Sequence, residues 1–204
     1  MPSPNTIPAD KLARLLGRPD SPSLIDVRTD EDFDADPRLV PGAVRRSWNE
    51  APAWGAAFAG TGRPAVVICK KGLKLSQGAA AWLRHQGIPT DVLEGGMVAW
   101  EAAKLPTVSV ERLPPRDAQG RTVWVTRSRP KVDRIACPWL IRRFVDPQAV
   151  FLYVAPSEVL EVAARFGATP FDVDHADVHW SHRGERCTFD LMVEEFGLET
   201  EPLK

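Results

Sequence analysis

The sequence predicts an α/β protein in two parts: a parallel sheet flanked by helices in the first half, and a smaller α/β or α+β domain in the second. Three observations carry this expectation. Strand-like and helix-like segments alternate through the first half, the rhythm of βα units. The run Ala65-Val66-Val67-Ile68 is apolar without interruption, which suits a strand covered on both faces. Between residues 105 and 120, Pro106, Pro114, Pro115 and Gly120 fall in a stretch of little periodicity, the composition of a linker. The expected organisation is a first domain over residues 1–106, a linker over 107–120 and a second domain over 121–204.

Each element has its own signal. Leu12, Leu15 and Leu16 give an early helix its apolar face, and residues 24–27 read as a short strand. Pro41-Gly42-Ala43-Val44 turns into a second strand, residues 54–58 lie in a helical stretch, and 65–68 is the buried strand. Residues 75–85 carry Ala79, Ala80, Trp82 and Leu83 at helical spacing, and Gly87 stops that helix before a strand at 90–93. Gly95-Gly96 then turns into a helix at 97–103. Past the linker, 122–126 reads as a strand and 135–145 mostly as a helix. Pro138 is expected to open its regular part, because proline suits a first turn and not an interior. Residues 150–154 form a strand, 156–166 a helix with Ser157 as N-cap, and 188–196 a final helix.

Composition narrows the function. A chain of 204 residues that is 44% hydrophobic can bury a substantial core, and its formal net charge of −1 gives no global field for nucleic acid or an anionic membrane. Neither partner is expected. The three cysteines, Cys69, Cys137 and Cys187, include no CxxC pair and make no disulfide framework, which fits a reducing compartment. The N-terminus lacks a basic region followed by an apolar stretch, and no segment approaches the ~20 apolar residues that cross a bilayer. A soluble cytoplasmic product is the expectation.

Cys69 is the most informative residue. It ends the 65–68 run and is followed by Lys70-Lys71-Gly72-Leu73-Lys74-Leu75-Ser76 and then by an amphipathic segment. A thiol thus sits where a strand turns into a helix, among three lysines. Loop N–H groups, the positive end of the following helix and nearby ammonium groups all favour thiolate or persulfide over the neutral thiol. Gly72 lets the loop backbone curl inward.

Leu24-Ile25-Asp26-Val27-Arg28, Pro41-Gly42-Ala43, the Cys69 loop and Leu93-Glu94-Gly95-Gly96 followed by Trp100 stand in rhodanese order and spacing. Over roughly residues 5–106 the chain resembles a rhodanese domain. The resemblance implies a sulfurtransferase in which Cys69 takes a sulfane sulfur from an anionic donor such as thiosulfate. The sulfur is carried as a persulfide and passed to a thiol or cyanide-like acceptor, with no cofactor required. Residues 70–76 would hold the anion, and Lys70, Lys71 and Lys74 would steer the donor. Lys74 stands where the family has arginine, Leu75 intervenes before Ser76, and the loop is one residue longer. Longer loops in this superfamily accompany bulkier oxyanions such as phosphate or arsenate. The histidine usual before Pro-Gly-Ala is replaced by Leu39-Val40.

The second half carries opposed charge. Residues 121–143 hold seven basic side chains against Asp133, and residues 172–201 hold nine acids against Arg183 and Arg186. Either the blocks pair across the fold, or Arg127, Arg129 and Arg134 form an oxyanion site. Arg127 and Arg129 are expected to leave a strand on one side, with guanidinium forks suited to tetrahedral anions. Trp124-Val125-Thr126-Arg127, the run from Asp133 through Cys137-Pro138-Trp139 to Phe144, Pro170-Phe171-Asp172-Val173 and Cys187-Thr188-Phe189-Asp190 together resemble the C-terminal domain of chromate-resistance proteins. That resemblance covers residues 121–203 and implies a link to chromate tolerance. Family members usually continue beyond this point, so a shortened domain is expected.

His175, His179 and His182, with Glu185 and Cys187 close behind, supply ligand types for zinc or iron, but their spacing matches no standard site. A solvated loop or hairpin is the leading expectation. His182, which fits the family pattern, is kept as the candidate ligand of a metal ion in the second domain. Two alternatives to sulfur transfer stay open: a thiol-dependent chromate or arsenate reductase, with Cys137 or Cys187 as resolving thiol, and a noncatalytic oxyanion or metal sensor.

Overall fold

The structure is a computed structural model that describes residues 5–59, 62–129 and 131–199. Residues 1–4 and the chain from Thr200 onward, with Glu201 of the acidic block, lie outside the described residues. The chain divides into two compact units, Met1–Thr107 and Val108–Lys204.

The first unit runs β1 (Thr6–Ile7), α1 (Ala9–Ala13), β2 (Ser23–Asp26), α2 (Asp30–Asp34), β3 (Arg38–Leu39), β4 (Ala43–Arg45), α3 (Ala51–Ala59), β5 (Ala65–Ile68), α4 (Lys74–His85), β6 (Thr90–Leu93) and α5 (Gly96–Ala102). Five strands form one parallel sheet in the order β1-β6-β5-β2-β4. All four residues of β5 are buried at its centre, as an uninterrupted apolar run demands. Ile25, Val67 and Val92 pack with Leu83, Ile88 and the half-buried Trp54 and Phe58. By alternation Leu24, Val66 and Leu93 point to the opposite face.

The order of strands positions the site. From β2 the chain moves outward to β4 and then returns to the other side of β2 to form β5. The winding reverses between β2 and β5, so the carboxyl ends of these two strands flank the crevice where such sheets bind ligands. Arg28, just past β2, is 3% exposed. Its Nε donates to Asp26 Oδ2 at 2.8 Å, and its other nitrogens donate to the carbonyls of Asp36 and Arg38 at 3.0 and 2.5 Å. A buried pair of this kind costs about 3–5 kcal/mol to break by removing one partner. It therefore fixes the path of the chain leaving the crevice.

The second unit contains β7 (Val108–Ser109), β8 (Val123–Arg127), α6 (Val132–Leu140), a π-helical turn (Ile141–Val145), β9 (Val150–Val154), a 3-10 turn (Pro156–Glu158), α7 (Val159–Phe166), β10 (Thr169–Pro170) and α8 (Thr188–Glu195). A three-stranded parallel sheet in the order β10-β8-β9 makes it an α/β domain. Trp124 packs on one face with Cys137 and Leu140 of α6 and Met192 of α8, while Val125 on the other meets Val159 of α7. Asp146 ties strand to turn: its Oδ2 accepts from the N–H and hydroxyl of Thr122 at 2.7 and 2.8 Å.

Three expectations are corrected here. The stretch read as a linker carries Val108 into the core of the second unit, with Leu113 packed against it. The helix expected to become regular at Pro138 already starts at Val132, with Pro138 inside it. Proline offers no N–H to the Arg134 carbonyl one turn back, and the Tyr153 hydroxyl donates to that oxygen instead, at 3.2 Å. Ser157 caps nothing: a 3-10 turn precedes α7, and the Glu158 carboxylate accepts from the Ala155 N–H at 3.1 Å.

Candidate active site

Cys69 follows the last residue of β5 directly, at the carboxyl end of the central strand. Residues 70–73 loop over into α4, which starts at Lys74 without a side-chain cap. The first intrahelical bond, Gln77 N–H to Leu73 O at 2.9 Å, leaves the N–H groups of Lys74, Leu75 and Ser76 with no helical acceptor. These three donors and the positive end of a twelve-residue helix lie at the loop that begins with Cys69.

Close backbone packing fixes the loop. Met97 and Val98 donate their N–H groups to the carbonyls of Cys69 and Lys70, both at 3.0 Å. The approach is tight enough that glycine is required on both sides. A Cβ on Gly96 would fall on the Cys69 carbonyl oxygen and 2.5 Å from the Gly72 nitrogen, and one on Gly72 would lie 2.9 Å from the Gly95 nitrogen. Gly72, Gly95 and Gly96 all have positive φ. The Gly95-Gly96 signal is thus the other wall of the cysteine loop.

The sulfur has a side-chain partner: Cys69 Sγ stands 3.1 Å from Ser76 Oγ, which in turn lies 3.1 Å from the Leu73 carbonyl oxygen. Cys69 is only 4% exposed, so a donor reaches it past the loop. Along that loop Lys71, Leu73 and Lys74 are exposed, Leu75 is half-buried against the core, and Gly72 and Ser76 are buried. Lys70 does not act as a free cation. Its Nζ donates to Asp32 Oδ1 at 2.7 Å, and that bond holds its pKa above the ordinary lysine value. Asp32 gave no signal in the sequence, because only the fold brings α2 beside the loop.

In the second unit the expected arginine site is redistributed. Arg127 and Arg134 converge, but on a carboxylate: their nitrogens lie 3.5 and 3.1 Å from Asp172 Oδ2. Arg129 lies beyond the end of β8, exposed and with a φ of 62°, so strand alternation no longer sets it on the side of Arg127. The basic and acidic blocks pair in part through these two contacts, while Arg183–Glu195 and Arg186–Glu194 are ion pairs inside the acidic block itself. The three histidines separate. The Asp177 N–H donates to His175 Nδ1, His179 Nε2 lies 2.6 Å from Glu195 Oε2, and only His182 faces two buried carboxylates, Asp133 and Asp172. Those two aspartates stand 49 and 10 positions before His182, a spacing that carries no motif.

Comparison with known proteins decides the family of each unit. The rhodanese-like domain family matches residues 8–103, and the ChrB C-terminal domain family matches residues 124–204. The chain joins a rhodanese-like domain to a ChrB C-terminal domain. Protein ChrB of Cupriavidus metallidurans is 41% identical over 91 residues, which is 45% of this chain and 26% of that protein. The chain therefore corresponds to about a quarter of the length of this curated relative. Among solved structures, a thiosulfate sulfurtransferase from Pseudomonas aeruginosa aligns at 30% identity with a TM-score of 0.46, over 53% of this chain and 20% of its own. A Rhodopseudomonas palustris protein of unknown function, described as a possible tyrosine phosphatase, aligns at 24% identity and TM-score 0.45, over 50% of this chain and 83% of its own. The rhodanese-like domain contains the whole Cys69 loop, and the ChrB-type domain contains the Asp133, Asp172 and His182 cluster. Among the described residues no helix is long and apolar enough to cross a membrane.

Proposed function

We propose that the rhodanese-like domain is a sulfurtransferase whose Cys69 cycles between thiolate and persulfide. The observation that carries this reading is the placement of Cys69 Sγ at the switch point of the sheet, at the foot of α4 and 3.1 Å from a hydroxyl that can donate to it. Cys69 thiolate attacks the sulfane sulfur of a donor such as thiosulfate. The donor S–S bond breaks, sulfite leaves with the bonding pair, and a Cys69 persulfide anion remains. A thiol or cyanide-like nucleophile then takes the terminal sulfur and returns the thiolate, so one difficult transfer is split into two easier ones. The N–H groups at the start of α4 and the Ser76 hydroxyl offset the negative charge. Lys71 and Lys74, which have no carboxylate partner among the described residues, draw in the anionic donor.

The three thiols are free, and we assign the activity to the reducing cytoplasm. The ChrB-type domain links this activity to chromate resistance. A reductase relay through Cys137 has less support: that thiol is fully buried, and desolvation with the nearby Asp133 and Asp172 charges pushes its pKa far up, against the thiolate a resolving step needs.

Intact mass spectrometry of the full chain after thiosulfate treatment tests the proposal. A gain of one sulfur atom, about 32 Da, on the wild type and its absence on Cys69→Ala supports it. No gain on the wild type, or the same gain on both, overturns it.

A further inference from the structure

We infer that Asp133, Asp172 and His182 of the ChrB-type domain bind a divalent transition-metal cation. The three residues come from separate places in the fold. Asp133 lies in the first turn of α6, Asp172 just past the carboxyl end of β10, and His182 in the segment leading to α8. One ligand atom from each lies within 4.8 Å of the other two. His182 Nε2 is 3.6 Å from Asp133 Oδ2, and its Nδ1 is 3.6 Å from Asp172 Oδ1. That is too long for a hydrogen bond. An imidazole gives one ring nitrogen to an ion, so His182 would bind through either Nε2 beside Asp133 or Nδ1 beside Asp172, its exposed ring turning to bring that nitrogen within about 2.0–2.2 Å of the ion.

Charge gives an independent reason. Asp133 is 8% exposed, and among the described residues no lysine or arginine forms an ion pair with it. Its Oδ2 accepts from the Thr188 N–H at 3.1 Å, so the start of α8 offsets part of its charge. A carboxylate this deeply buried calls for a full cation. Among the described residues Arg127 and Arg134 lie at Asp172 Oδ2, while Oδ1 accepts from the Thr188 hydroxyl at 3.4 Å and faces His182. The arginines hold the carboxylate through Oδ2, as groups outside a metal's ligand set do.

Arg134 adds a third observation. Its side chain is 7% exposed, yet Nε makes no hydrogen bond, because the N–H is off line from Asp172 Oδ2 at 3.1 Å. This buried donor without an acceptor stands beside Asp172, where an oxygen carried by the ion, such as bound water, would satisfy it. Two oxygens and one imidazole nitrogen leave coordination positions open, and the donor set suits Mn(II), Fe(II), Co(II) or Zn(II) above Mg(II). His182, with a side chain 59% exposed, leaves the site accessible to an entering ion.

Co(II) and Mn(II) titrations of the full chain, followed by visible absorption and calorimetry, test this inference. The wild type is expected to bind one ion per chain, without a thiolate-to-metal charge-transfer band and with little competition from Mg(II). His182→Ala alters a largely exposed side chain, so the fold is retained. It is expected to weaken binding by about tenfold or more, with Asp172→Asn doing the same and His179→Ala leaving affinity unchanged. Equal affinity in wild type and His182→Ala, a charge-transfer band assigning the ion to Cys187, or Mg(II) binding as tightly as Mn(II) would each overturn it.

Discussion

The single hydroxyl proton of Ser76 has two claimants: Cys69 Sγ at 3.1 Å and the Leu73 carbonyl oxygen, also at 3.1 Å. With Cys69 as a neutral thiol, S–H donates to Ser76 Oγ and the hydroxyl proton goes to Leu73. With thiolate or persulfide, the proton turns to sulfur and the carbonyl gives it up. The serine thus exchanges one acceptor for another as sulfur becomes charged, without moving its oxygen.

Ser76→Ala removes that donor. A hydrogen bond to a charged group contributes about 1.5–3 kcal/mol, so persulfide formation from thiosulfate is expected to slow by about tenfold to a hundredfold. Rapid-quench mass spectrometry measures the rate. An unchanged rate would mean that backbone N–H groups alone hold the anion.

Gly96→Ala tests the packing that shapes the loop. The new Cβ meets the Cys69 carbonyl oxygen and lies 2.5 Å from the Gly72 nitrogen, at a φ of 59° that side chains resist. A loss of about 2–4 kcal/mol is expected, read from denaturant unfolding, with sulfur loading reduced even where the protein remains folded. Gly78→Ala is the control: it sits within α4 with open space around it and should be neutral or mildly stabilising.

Most of the first unit was legible in the sequence because β5 and β6 are short runs whose own apolar or alternating pattern carries the signal. The cysteine loop was legible for the same reason: Cys69, Gly72 and Ser76 are local to one turn of chain. What escaped is what only distance in sequence can assemble. Asp32 reaches Lys70 across 38 positions, and Asp133 reaches His182 across 49. Pro138 misled because propensity favours it at a helix start, whereas here Tyr153, from strand β9, meets the carbonyl that proline leaves unsatisfied.

Tyr153 and Pro138 are therefore expected to be coupled. Tyr153→Phe removes the bond to Arg134 O and should cost about 1 kcal/mol. In a Pro138→Ala background the new N–H competes for the same oxygen, and the Tyr153 substitution should cost much less. A double-mutant cycle by denaturant unfolding measures the difference. Strict additivity would show that the two groups do not share the carbonyl.

Cys137 predicts a dependence on alkaline pH. Burial and the Asp133 and Asp172 charges raise its pKa in the folded chain. Below the ordinary thiol range the group is protonated in both states. As pH rises past about 8.5, the unfolded chain releases the proton and the folded chain keeps it, so stability falls. Denaturation midpoints between pH 7.5 and 9.5 should drop less steeply for Cys137→Ala than for wild type. At pH 8 iodoacetamide should modify the half-buried Cys187 well before Cys137.

The backbone of the cysteine loop is bolted down at its start by the Met97 and Val98 N–H groups, while Lys71, Leu73 and Lys74 project outward. The machinery that handles sulfur and the surface that meets a visitor are consequently separate parts. Evolution or an engineer can rewrite the outward positions to admit a new donor or acceptor, and the reactive atom keeps its place.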